Sequence, residues 1–293
     1  QKRAIIKKLK QIDQAFLENN LLFSEHHLSH AASAFFPSPF EEAVIITLDG
    51  VGEWSTSTIS IGSQNNIKII KEINYPHSIG LLYSAFTYYV GFKVNSGEYK
   101  MMGLAPYGKP IYKEIIYKNL VNVKDDGSFR LNQKFFNYST GLTMINKKFV
   151  ELFNKPKRNS KKDEINSFHM DIASSIQVVT EEIILKIVKS VKKKYPHINN
   201  LCLAGGVALN CVANGKILKE KYFKNIWVQP AAGDAGGSLG AAYAYWYQEK
   251  KNQRIVEKND SMQGSYLGEQ YDNNYIEKEL ISLGAVYEKL SND

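Results

Sequence analysis

The sequence predicts an α/β protein, and three patterns predict it. Short apolar runs of buried-strand type stand at 43–48, 201–204 and 226–228. Ile165, Phe168, Ile172, Ile176, Val179, Ile183, Ile187 and Val191 recur three and four apart through 164–195, a long amphipathic helix stopped by Pro196. From Leu201 onward the order is strand, glycine turn, helix, twice over, with turns at Gly205-Gly206 and Gly233-Asp234. No solenoid-type repeat is visible. At 293 residues and 44% apolar content the chain suits one large domain or two lobes, and disorder as its main state is excluded.

In chain order, a helical pattern covers about 3–17. Residues 24–36 continue on helical spacing until Pro37 and Pro39. The period then changes. The run 43–48 ends at Asp49-Gly50, the β-rich stretch 54–61 follows, and 67–73 reads as a third strand across the turn 62–66, which together predict an antiparallel meander. Residues 79–92 are apolar nearly all round and predict a buried helix. Asp125-Asp126-Gly127 is a hairpin signal, and 96–108 reads as a loop. After about Glu257 a polar stretch marks a linker, giving a division at 1–257 and 258–293.

Composition excludes several classes. No uncharged apolar stretch approaches the roughly 20 residues of a membrane helix. Lys2, Arg3, Lys7, Lys8 and Lys10 open the chain with no signal-peptide apolar core behind them, and the two cysteines supply no disulfide framework. A cytoplasmic, reducing setting is expected. The net charge of +8 collects in part at Lys155, Lys157, Arg158, Lys161 and Lys162 and at 192–194, both read as solvated surface. Nucleic acid is not expected as a partner, and a homodimer is compatible.

Several residues can carry chemistry. His26 and His30, four apart on one helix face, can share a metal, or the spacing is incidental. His27 falls on another face. Asp49 ends a strand before Gly50 and Gly52, whose bare backbone can approach a phosphate, and Asp-Gly is equally an ordinary turn. Asp234 is the one charge between Asn225 and Gln248; it caps the following helix or, if buried, needs a partner such as a metal. Gly205, Gly206 and Asn210 join strand to helix, suiting a nucleotide or close packing. Lys100 is a cation within reach of phosphate, or a surface lysine.

Six strings, in order, resemble one family, the nodulation-type O-carbamoyltransferases, which include the tobramycin and cephamycin carbamoylating enzymes. They are HHLSHAASAFFPSPF at 26–40, TLDGVGE at 47–53, PHSIGLLYS at 76–84, KMMGLAPYG at 100–108, AGGVALN at 204–210 and QPAAGDAGGSLG at 229–240. The resemblance implies the actin-like, sugar-kinase-like α/β fold of the tRNA threonylcarbamoyl transferases, two-lobed, with mixed sheets flanked by helices. It implies His26, His30, Asp49 and Asp234 as metal ligands with iron(II), or another divalent ion, as the metal. Gly205, Gly206, Gly233 and Asn210 take the nucleoside side, and Gly50 and Gly52 the phosphate side. His27 and His77 are candidates for taking the acceptor proton, and Lys100 for holding phosphate.

The reaction so implied moves a carbamoyl group from carbamoyl adenylate to a hydroxyl of a small acceptor. The family makes carbamoyl adenylate from carbamoyl phosphate and ATP, with Mg2+ serving that step, in a second domain expected after Asp293; a first strand is expected before Gln1. The chain therefore reads as a fragment, inactive alone. Two rivals remain: a small-molecule kinase of the same fold with Asp49 as base, and a non-enzymatic nucleotide- or nucleic-acid-binding module.

Overall fold

A computed structural model describes residues 2–290. Its helices are α1 (Lys2–Ile12), α2 (His26–Phe35), α3 (Ile79–Tyr89), α4 (Glu98–Leu104), α5 (Lys113–Asn119), α6 (Lys147–Phe153), α7 (Ser167–Lys194), α8 (Cys211–Glu220), α9 (Asp234–Tyr243) and α10 (Asn273–Ser282). Its strands are β1 (Glu42–Leu48), β2 (Ser55–Ser63), β3 (Asn66–Asn74), β4 (Val121–Val123), β5 (Phe129–Leu131), β6 (Asn200–Ala204) and β7 (Asn225–Val228).

One five-stranded sheet organises the chain in the order β3-β2-β1-β6-β7. The first three strands form the antiparallel meander read from the sequence, and β6 and β7 add in parallel to β1. Strand β1 is buried on both faces, which is why it reads as a continuous apolar run. Its alternate residues Val44, Ile46 and Leu48 enter a large core with α3 and α7. Ala43 and Ile45 face a smaller core under α2. Leu201 and Leu203 of β6 join the first core, while Cys202 and Ala204 join the second. A mixed five-stranded sheet with helices on both faces is the α/β arrangement that the sequence predicts. Among the described residues it is the one large sheet, with β4 and β5 forming a separate hairpin.

Local chemistry sets the boundaries. Helix α3 begins at Ser78, whose hydroxyl accepts from the Leu81 N–H. It ends in a Schellman turn, with Gly91 N–H on the Tyr88 carbonyl, Phe92 N–H on that of Thr87, and Gly91 at a left-handed φ of +81°. Asn166 and His169 cap α7 reciprocally, so the helix starts at Ser167 and Ile165 lies outside it. Helix α9 lies against α2 so closely that a Cβ on Gly240 would stand 1.7 Å from the Ser29 carbonyl oxygen.

Some expectations need correction. The first helix stops at Ile12, not near Leu17. Residues 96–108 are not a loop: Glu98 in the first turn favours α4 through the helix dipole, and a 3-10 turn at Ala105–Tyr107 follows. Short helices α5 and α6 carry too few turns for a clear period and were not read from the sequence. The 154–162 tract is not uniformly solvated, because Arg158 is buried.

Candidate metal centre and cleft

Register brings the site together. Leu48 ends β1, and Thr47 pairs with Ala204 of β6, so Asp49 stands beside the Gly205-Gly206 turn. His26 opens α2 and His30 follows one turn later on the same face. Asp234 is the first residue of α9, with Gly233 as N-cap, so its predicted capping role falls to the glycine. The packing of α9 on α2 then carries Asp234 to the histidine pair.

The four side chains converge. His26 Nε2 is 2.8 Å and His30 Nε2 3.2 Å from Asp49 Oδ2, and the two nitrogens are 3.0 Å apart. Asp234 Oδ1 lies 3.5 Å from each nitrogen. The four donor atoms all lie within 4.8 Å of one another. His30 is buried, while the Asp234 side chain is 80% exposed, so the buried charge considered from the sequence is not found.

The donor set fits a metal ion on two counts. A ring N–H points in one direction only. With both imidazoles on Asp49 Oδ2, the 3.0 Å nitrogen–nitrogen contact then has either two donors or a shared proton that leaves the carboxylate edge short of one. Buried His30 Nδ1 also has no partner. In addition, metal bonds of about 2.1 Å give ligand–ligand edges of about 3.0 Å at right angles and about 3.4 Å in a tetrahedron, and the five edges that involve a histidine measure 2.8–3.5 Å here. Two imidazoles with two carboxylates suit a first-row divalent ion.

Electrostatics follow the geometry. The hydrogen bond to Asp49 raises the His26 pKa above its ordinary value against the opposing effect of burial. Burial disfavours an ionised Asp49, but hydrogen bonds from His26 and His30 outweigh it and hold the carboxyl well below the usual range. The second Asp49 oxygen, Oδ1, accepts the Gly206 N–H at 3.0 Å. Glu53 accepts the His26 backbone N–H at 3.0 Å and so fixes the start of α2.

Beside these donors opens a cleft of about 540 Å3, lined in part by Asp49, Gly50, Gly80, Gly206, Gly233 and Asp234. A Cβ on Gly50 or Gly233 would meet only ordinary van der Waals contact, with Leu81 at 4.0 Å or Leu209 at 3.8 Å. Gly52 and Gly205 instead allow close packing: a Cβ would meet the His26 ring at 3.1 Å or the Leu48 carbonyl oxygen at 2.3 Å. The Gly52 and Gly205 N–H groups are spent on Ser55 and Ala232. Asn210 lines the cleft, yet its amide is engaged by Gln177 and by the Ala213 N–H it caps.

The three residues read as catalytic candidates are not brought into the cleft wall. His27 is buried behind the ligand pair, with Nδ1 2.6 Å from Thr47 Oγ1, and burial pushes its pKa down to about 4. His77 accepts the Leu131 N–H through Nδ1, toward the β4–β5 hairpin. Lys100 is exposed, with Nζ 5.8 Å from the centroid of the Tyr99 ring. No lysine, arginine or histidine lines the cleft among the described residues. Glu98, missed from the sequence, does line it; its carboxylate accepts Ser84 Oγ and the N–H groups of Asn95 and Gly97. Its one signal is an acid next to Gly97 within the glycine-containing run 96–108, which carries no geometry by itself.

Comparison with known proteins names the class. The family model described as "Carbamoyltransferase N-terminus" matches residues 2–243, and the chain belongs to that family. An uncharacterized protein of Synechocystis is 58% identical over 93% of this chain and 44% of its own length. The nodulation protein NolNO of Sinorhizobium fredii is 36% identical over 76% of this chain and 31% of its own. NolO of Bradyrhizobium diazoefficiens is 34% identical over 74% and 37%. The chain thus spans less than half the length of these curated relatives. Among solved structures, full-length HypF in a phosphate- and nucleotide-bound form is 13% identical, with a TM-score of 0.41 over 84% of this chain and 49% of HypF.

Proposed function

We propose that the cleft performs carbamoyl transfer from carbamoyl adenylate to a hydroxyl of a small acceptor. The observation that carries this reading is the convergence of His26, His30, Asp49 and Asp234 at one edge of a glycine-lined cleft, in a chain of the carbamoyltransferase family. Those four residues would hold a divalent ion, iron(II) by the resemblance, which supplies Lewis-acid polarisation and charge neutralisation to an oxyanion beside it.

The acceptor hydroxyl gives up its proton to solvent water as its oxygen forms a bond to the carbamoyl carbon, the bond from that carbon to the phosphate oxygen breaks, and AMP leaves with the electron pair. The cleft wall has no basic side chain among the described residues to meet the phosphate. Donors on this side are backbone N–H groups at the start of α9, where the helix dipole adds favourable charge behind Gly233. Asp234, in the same turn, would repel the phosphate unless its charge is spent on the ion. Gly50 and Gly233 line the cleft without side chains, so a nucleotide could approach their backbone there. His27 is a positioning residue: its bond to Thr47 ties α2 to β1 two residues before Asp49. ATP, carbamoyl phosphate and Mg2+ belong to formation of the donor, and residues 258–293 to a further module.

The kinase reading is weaker. It needs Asp49 free to take a hydroxyl proton, and both carboxylate oxygens are occupied. The deciding experiment supplies full-length protein with iron(II), Mg2+, ATP, carbamoyl phosphate and a panel of hydroxylated acceptors. AMP with a carbamate ester is the expected outcome. ADP with a phosphorylated acceptor would establish the kinase instead.

A further inference from the structure

A second cavity, of about 800 Å3, lies beyond the cleft and shares none of its lining residues. The two are neighbours: Ser84 lines the cleft and Tyr88 the second cavity, one turn apart on α3, or roughly 6 Å along the helix axis. Lys93 and Val94 line the second cavity, and the next two residues, Asn95 and Ser96, line the cleft. Glu98 pins that partition through Ser84 and Asn95.

The second cavity has the opposite charge. Lys93, Lys157 and Arg158 line it, and no acidic residue does among those described. Arg158 is 8% exposed. Its Nε donates to the Val90 carbonyl at 2.6 Å and its Nη1 to that of Asp163 at 2.8 Å. A guanidinium has five N–H donors, so three are left. No carboxylate lies within salt-bridge distance among the described residues. Nη2 has no partner and is not sealed from solvent.

Arg254 shows what a purely structural buried arginine looks like here. It is 9% exposed, and its three nitrogens reach five backbone carbonyls, those of Phe35, Phe36, Ser38, Phe40 and Gln64. Arg158 stops at two and turns what remains to a cavity. Lys157 Nζ stands 3.8 Å from the centre of the Tyr88 ring, held by cation–π attraction at the same wall. Phe92, Leu142 and Met144 supply apolar surface. A buried cation without a counter-ion is costly, and an oxyanion meeting a guanidinium fork relieves that cost.

We propose that this cavity is a binding site for a small anionic molecule whose phosphate or carboxylate meets Arg158, Lys157 and Lys93 and whose apolar body packs on Phe92 and Met144. It is distinct from the metal centre and does not depend on the transfer reading. A nucleic-acid surface would extend along a basic stripe, whereas these three cations gather at one cavity with Tyr88, Phe92 and Tyr138 in its wall.

Calorimetric titration of the complete chain with phenyl phosphate, benzoate and inorganic phosphate, in chelator-treated buffer, tests the site. Phenyl phosphate or benzoate should bind more tightly than inorganic phosphate, and Lys157→Gln with Lys93→Gln should weaken binding at least about tenfold. Arg158→Met should remove it; because that residue also anchors backbone, the lysine variants decide if it fails to fold. Asp49→Asn should leave it unchanged. Preference for phenyl phosphate over benzoate would mark a phosphorylated ligand, and the reverse a carboxylated one. Absence of binding, binding insensitive to the lysine changes, or binding lost in Asp49→Asn would overturn the proposal.

Discussion

Two buried polar clusters flank the same cleft, and they differ in whether they can satisfy themselves. Behind Asn210, the Tyr83 hydroxyl donates to Gln177 Oε1 at 2.9 Å, and Gln177 Nε2 donates to Glu181 Oε1 at 2.8 Å and Asn210 Oδ1 at 3.0 Å. Asn210 Nδ2 returns a bond to Gln177, and Lys216 pairs with Glu181. None of these polar atoms is left buried and unpaired. At His26, His30 and Asp49 no arrangement of protons satisfies every contact, and His30 Nδ1 is stranded. A closed network holds elements in place; a cluster whose donors point at one another asks for an ion.

Substitutions can break that contrast. The largest effect is expected from His30→Ala, which should remove metal binding while circular dichroism stays native, since the role proposed for the residue is that of a ligand. Unfolding of that variant would make His30 a core histidine. Gln177→Leu should do the opposite. It leaves the Tyr83 hydroxyl and Asn210 Nδ2 buried without a partner, at a cost of about 3 kcal/mol by urea unfolding, with metal affinity within about twofold of the parent.

Gly206→Val tests the contact between the turn and the centre. The new Cβ would stand 2.9 Å from Asp49 Oδ1, and displacing that carboxylate should weaken metal binding by about tenfold, as loss of a partner to a ligand does. An unchanged affinity would mean that the turn and Asp49 move independently.

The smallest effect belongs to a surface cluster, satisfied like the one at Gln177. The Ser128 hydroxyl and N–H, with Lys71, hold the Asp126 carboxyl down to about 2. A depressed folded pKa gives stability that is present above the unfolded value near 3.8 and is lost as pH falls toward 2. Titration of Asp126 by NMR should find its midpoint near 2 in the parent and nearer 3.8 in Ser128→Ala. Equal midpoints would remove Ser128 as the cause.

Much of the fold was legible because period carries it. The both-face-buried β1, the meander, the long α7 and the Gly127 hairpin each leave a pattern of apolar spacing or a turn signal. Helix ends were less legible, since the capping of α7 depends on His169 reaching back to Asn166. The candidate ligand set was nameable only through ordered strings. Spacing placed His26 and His30 on one face, but nothing local brings Asp49 or Asp234 to them; that follows from the β1–β6 register and the close approach of Gly240 to Ser29. Glu98 and the second cavity were not legible at all. A solvated charge tract and one that buries Arg158 against Val90 have the same sequence, and only the tertiary contact separates them.

The metal centre proposed at His26, His30, Asp49 and Asp234 can be tested directly. Its most direct measurement is anaerobic calorimetric titration of iron(II) into the metal-free chain, repeated across pH and in His30→Ala. The account predicts one ion per chain, affinity that falls as pH is lowered because the imidazoles must bind in their neutral form, and no binding in the variant. An ion bound with equal affinity by the parent and by His30→Ala would contradict it.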